Sequence, residues 1–111
     1  MTHDMNLNDS PFRYIKSGKK DIEMRLYDDR RKALKIGDYI HFINTSNQEQ
    51  MDVEIINLYV FPSFKEIYDN FDHSRLGYDS SDEGVYTDME QYYRPNLIDE
   101  FGAIAIEIKL V

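Results

Sequence analysis

The last nine residues, Ala103-Ile104-Ala105-Ile106-Glu107-Ile108-Lys109-Leu110-Val111, constrain the fold more than any other stretch. Residues of both parities are apolar at its start, so as a strand it has no face to offer to water. Such a strand belongs in the middle of a sheet. Met51 to Phe61 makes a related demand. Met51, Val53 and Ile55 alternate with Asp52 and Glu54, and the run then becomes apolar on both faces, as in a strand that passes from edge to centre. Tyr39–Ile43 reads as another strand behind the turn Lys35-Ile36-Gly37-Asp38, with Asn44 to Gln50 as its hairpin loop. The stretch after Gly18, through Leu26 and Tyr27, reads as a fourth. Helices of about 10–15 residues do not alternate with these strands, which excludes a parallel α/β sheet.

The helical signals lie between them. Asp9 or Ser10 can cap a helix with Pro11 at its first position, Phe12 and Ile15 on its apolar side and Ser17-Gly18 as its stop. Asp28-Asp29 can cap a brief turn over residues 30–34. Ser63 opens a helix carrying Phe64, Ile67, Tyr68 and Phe71, with Glu66 placed for a capping box. Residues 72–84 are rich in Asp, Ser and Gly and read as a long loop. A further helix is expected from about Tyr86 to Tyr93, ended by Pro95, and a turn over 96–100. Residues 1–9 hold little to bury and read as a loose N-terminal arm. The expected fold is α+β, a small closed or half-closed β-barrel with peripheral helices, as one domain over residues 10–111.

Composition bounds the function classes. The apolar share of 41% is enough for a core. Cysteine is absent, which removes disulfides, thiolate nucleophiles and zinc–cysteine sites and fits a reducing, cytoplasmic location. No apolar run is long enough to cross a membrane, and no signal peptide is visible. The net charge of −8 argues against indiscriminate binding to duplex DNA. The charge is unevenly spread. Nine of the thirteen basic side chains but four of the twenty-one acidic ones lie between Arg13 and Lys35, a net of +5 against −13 elsewhere. A local basic site on an acidic body suits a small or single-stranded anionic ligand; the plainer reading is a set of solvated helix and turn residues.

Within that window, Gly18-Lys19-Lys20-Asp21-Ile22-Glu23-Met24-Arg25 alternates after its glycine. Asp21, Glu23 and Arg25 share one parity; Ile22, Met24 and Leu26 share the other. A strand here presents Glu23 and Arg25 side by side, roughly 6.5–7 Å apart along the backbone, with Lys20 at its mouth. Lys20 can pair with Glu23 or act as a base, Arg25 can clamp a phosphate, and Glu23 can accept from an exocyclic amine. Tyr86, Tyr92 and Tyr93 can stack on an unpaired base or belong to the core. The three histidines, His3, His41 and His73, have no metal-ligand spacing, and Asp79, Asp82 and Glu83 lack a calcium-loop pattern. No phosphate-cradling glycine loop occurs, so no cofactor or metal is expected.

The pattern Gly18-x-Lys20-x-x-Glu23-x-Arg25 resembles the G-x-K-x-x-E-x-R signature of the ASCH (activating signal cointegrator homology) domain family in the PUA-like superfamily. The resemblance extends through Gly37-Asp38, Ser63-Phe64, Leu76-Gly77, Met89 to Tyr93 and Phe101-Gly102-Ala103-Ile104. It implies a PUA-like barrel whose cleft is lined by the signature and binds RNA or a nucleoside- or nucleobase-like ligand, with Gly18, Lys20, Glu23, Arg25 and Tyr93 as binding residues. Other similar domains resemble ribonucleases. Small bacterial relatives are amidohydrolases that deacetylate N4-acetylcytidine, using a lysine at the position of Lys20, a threonine at that of Glu23 and a glutamate from the later loop. This implies a catalytic alternative with Lys20 and Glu23 as the reacting pair and Asp82 or Glu83 as the loop carboxylate. Glu23 departs from the threonine, so that nucleophile is missing. A third reading is a protein-interaction module that recruits a basic partner to the acidic face.

Overall fold

The computed structural model describes residues 1–111. In chain order the elements are β1 (Thr2–Leu7), α1 (Asp9–Lys16), β2 (Ile22–Leu26), α2 (Asp29–Lys32), β3 (Tyr39–Asn44), β4 (Gln50–Phe61) and α3 (Phe64–Asn70). Two 3₁₀ segments follow, His73–Leu76 and Tyr86–Gln91, then α4 (Pro95–Phe101) and β5 (Ala103–Leu110). The strands form one sheet in the order β1-β3-β4-β5-β2, curled into a half-barrel in a mixed α+β fold. All neighbours are antiparallel except β1 and β3, which run parallel.

β5 lies between β4 and β2, as its composition requires. Its two parities enter two different cores. Ile104, Ile106 and Ile108 face the inside of the curled sheet with Phe12, Ile40, Phe42, Val53 and Ile55. Ala103 and Ala105 face the helical layer, with Phe64, Ile67, Leu76, Met89 and Ile98. The small alanines let that layer approach the sheet, and the isoleucines fill the barrel. β4 kinks at a register shift between Ile55 and Asn57, which leaves Ile56 unpaired with β5 and exposed.

Local capping follows the chain chemistry. Asp28 accepts from the Arg31 backbone N–H and starts α2. The Ser63 hydroxyl donates to the Glu66 carboxylate at the start of α3, a variant of the expected capping box. α1 buries Phe12 and Ile15 and ends at Ser17, after which Gly18 turns the chain with a φ of 83°.

Three expectations are corrected. Residues 1–9 are not a loose arm: Thr2–Leu7 pair with Tyr39–Asn44, and Met5 and Leu7 enter the barrel core. Residues 86–93 do not form an α-helix; Tyr86–Gln91 are 3₁₀. Pro95 does not close that segment but opens α4, where its missing N–H would have had no partner.

The edges of the sheet, β1 and β2, come to face each other without a backbone ladder between them. Arginine side chains bridge the seam instead. Arg25 Nη2 donates to the Asn6 carbonyl at 2.8 Å, and Arg30 Nη2 to the Asp4 carbonyl at 3.4 Å.

Candidate functional site

The seam opens into a cleft of about 680 Å³. One wall is the end of β1 and the start of α1; the other is the two 3₁₀ segments; β2 supplies the floor. The register explains the floor. Glu23 lies opposite Ile106 and Arg25 opposite Ile104, so both acid and base stand on the barrel-core side of the sheet. β2 has no strand beyond it there, so the charged pair takes the space a further strand would cover.

Lys20, Glu23 and Arg25 form one buried cluster. Lys20 and Glu23 are 7% and 4% exposed. Lys20 Nζ meets Glu23 Oε1 at 2.8 Å, and Arg25 Nη2 and Nε meet Oε2 at 2.8 and 2.9 Å. Burial by itself would raise the Glu23 pKa; the charges of Lys20 and Arg25 outweigh it and bring it down to about 2. Arg25 is correspondingly raised: burial opposes its charge, and Glu23 more than compensates. Glu23 is thus a fixed carboxylate shared by two cations, and the cluster carries one net positive charge into the cleft. Arg25 Nη1 and two Lys20 N–H groups have no bond to the protein.

Lys20 is held from outside the signature. Its backbone N–H donates to the Tyr14 carbonyl. Its stem runs beneath Gly77, where an added Cβ would stand 3.1 Å from Lys20 Cδ, and Gly77 has a φ of 106°. The neighbouring Arg75 fixes this segment, with a fork to Asp21 at 2.8 and 3.1 Å and a bond to Glu107 at 2.9 Å. Tyr14 donates to Asp79 at 3.0 Å, and Lys19 pairs with Asp79 and lies 4.6 Å from the Tyr14 ring centre. The 72–84 stretch is therefore tied down at three points.

The sequence-selected residues separate. Lys20, Glu23, Arg25, Tyr92 and Tyr93 line the cleft; Gly18, Tyr86, Asp82 and Glu83 do not. Tyr93 stacks on Phe64 at 5.8 Å and belongs half to the core, while Tyr92 is 56% exposed at the rim. Most of the basic window is bound elsewhere: Arg13 to Asp9, Lys16 to Glu49, Arg31 to Asp28. The plain reading of solvated side chains holds for Arg13 and Lys16; Lys20 is buried and Arg25 and Arg31 largely so, and of these Lys20 and Arg25 line the cleft. The sequence reading missed Asn6, Tyr14, Tyr68, Tyr78 and Asp88, all of which line the cleft. No local pattern marks them, because five separate segments bring them together. No three His, Asp or Glu side chains converge as a metal site, and no helix is long and apolar enough to cross a membrane.

Comparisons with known proteins agree with this architecture. The family model of the ASCH domain matches residues 5–111. A crystal structure of hypothetical protein PH0355 superposes with a TM-score of 0.85 at 33% identity, covering 100% of both chains. The solution NMR structure of protein PF0455 from Pyrococcus furiosus gives a TM-score of 0.77 at 26% identity, covering 100% of this chain and 98% of that one. No curated protein matches the chain.

Proposed function

Because this chain belongs to the ASCH domain family, we propose that its seam cleft binds single-stranded RNA or a nucleotide, with the phosphate on Lys20 and Arg25 and a base beside Tyr92. The fold is then a PUA-like barrel. The observation that carries the reading is the buried Lys20–Glu23–Arg25 cluster, whose unused N–H groups and net positive charge lie on the floor of a cleft large enough for a nucleotide. An exposed tyrosine at the rim adds a stacking surface for any base.

The amidohydrolase or ribonuclease reading ranks second. Glu23 stands where a hydroxyl nucleophile would be needed, both its oxygens are engaged, and a carboxylate with a pKa of about 2 is a weak base at neutral pH. Asp82 and Glu83 are exposed and away from the cleft. The protein-interaction reading has only the acidic surface in its favour.

The test is a titration of short single-stranded RNAs and nucleoside monophosphates, followed by calorimetry. Tyr92→Ala, at an exposed position, should leave the melting temperature unchanged and weaken binding by about 1–3 kcal/mol, the value of one base–aromatic stack. Lys20→Met should weaken every phosphate-bearing ligand. Equal affinities for wild type and both variants remove the cleft from consideration.

A further inference from the structure

The wall facing the basic cluster carries a carboxylate that the signature does not include. Asp88 is half-buried in the second 3₁₀ segment and lines the cleft. It terminates a chain of hydroxyls. Tyr78 donates to Asp88 Oδ2 at 2.7 Å, so Tyr68, at 2.7 Å from the Tyr78 oxygen, donates to Tyr78 in turn. The Val85 backbone N–H also reaches Oδ2, at 3.5 Å. Asp88 Oδ1 takes no hydrogen bond from the protein. The one buried side-chain polar atom without a partner is Arg31 Nε, so Oδ1 is open to solvent, on a residue that lines the cleft.

The arrangement fixes the chemistry of this wall. Tyr78 is kept protonated: burial, then Tyr68 and Asp88, all raise its pKa. A phenol that stays protonated can only donate toward Asp88, which keeps Oδ2 occupied and leaves Oδ1 as a pure acceptor. Bonds in such a chain polarise one another and hold the carboxylate in one orientation. Gln91, one 3₁₀ turn on, donates to the Asp88 backbone carbonyl at 2.8 Å rather than to the carboxylate, so it does not block Oδ1. The cleft therefore has two unlike ends, N–H donors with positive charge on the β2 floor and an oriented acceptor on the opposite wall.

We infer that Asp88, oriented by Tyr78 and Tyr68, is a specificity-determining acceptor that selects ligands whose base edge presents an amino group over those presenting a carbonyl. This rests on the nucleotide reading of the cleft. It extends that reading from binding any base to discriminating among bases. A carbonyl oxygen at the same place would meet Oδ1 oxygen to oxygen, with no proton between them.

The probes are cytidine and uridine 5′-monophosphates, which differ in amino against carbonyl at C4, with N3 switching from acceptor to N–H donor, while sharing sugar and phosphate. The full chain should prefer the cytidine form by about tenfold, within the range for a good side-chain-to-base contact. Asp88→Asn, which offers a donor or an acceptor, should bring the ratio to about one while uridine monophosphate binds at least as well as before. Tyr78→Phe keeps the ring but removes the orienting donor, and should lower the ratio without abolishing binding; it also serves if the Asn variant does not fold. Lys20→Met should weaken both ligands and keep the ratio. If wild type shows no preference, or if Asp88→Asn and Tyr78→Phe keep the wild-type ratio, the inference is overturned and the nucleotide reading stands. If neither monophosphate nor single-stranded RNA binds, both are overturned.

Discussion

At the scale of single residues, Glu23 decides whether the cleft exists in its present form. It sits between two buried cations, and no other acid forms an ion pair with either. Replacing it with glutamine leaves both charges in a poorly solvated site, and breaking a buried pair in this way costs about 3–5 kcal/mol. The measurement is the urea midpoint of Glu23→Gln against wild type; a change under about 1 kcal/mol would mean the cluster is more hydrated than its burial indicates. The pH dependence has a definite sign. The folded-state pKa is depressed from 4.5 to about 2, so the stabilisation is complete above pH 4.5 and is lost as pH falls through about 2. That loss amounts to about 3 kcal/mol, and the glutamine variant should lack this component of acid denaturation.

At the scale of elements, β1 is where sequence and structure part most clearly. Its outward positions are Thr2, Asp4 and Asn6, and it buries only Met5 and Leu7. Two apolar residues in a polar stretch do not stand out from an arm. The strand exists because β3, far along the chain, offers it a parallel edge. By contrast β5 and β4 announce themselves, since both faces of each are apolar over part of its length. Parity placed Glu23 and Arg25 together for the same reason: side chains two apart on a strand share a face wherever that strand goes. It says nothing of Tyr14, Tyr78 or Asp88, whose meeting depends on how α1 and the 3₁₀ segments pack. Deleting residues 1–7 tests β1. Burying Met5 and Leu7 is worth about 1.5–3 kcal/mol each, so the truncation should lower the melting temperature by many degrees and, with Asn6 gone, leave Arg25 without its carbonyl partner. An unchanged melt would restore the loose arm.

At the scale of the whole molecule, the proposed nucleotide binding must be squared with the chain's net charge of −8. Most of its basic side chains are matched by nearby acids, as with Arg75 against Asp21 and Glu107. Lys35, Arg94 and Lys109 stand singly on the surface without an ion pair, whereas Lys20 and Arg25 share one carboxylate in the seam, where the curled sheet is left open between β1 and β2. On that reading the acidic body repels a long polyanion and the seam takes one or two phosphates. The number of phosphates held sets the salt dependence. Each phosphate neutralised on a single strand contributes a slope of about −0.7 to log K against log salt, so one or two contacts give about −0.7 to −1.4. Binding of an eight-nucleotide RNA should show such a slope, and the slope should be the same for a longer RNA of the same composition, because added nucleotides meet only the acidic surface. A duplex of equal length should bind more weakly, since its bases cannot reach Tyr92. A slope steeper than about −4, growing with RNA length, would place the binding surface across the exposed lysines and arginines of α1 and α2 and take it out of the cleft.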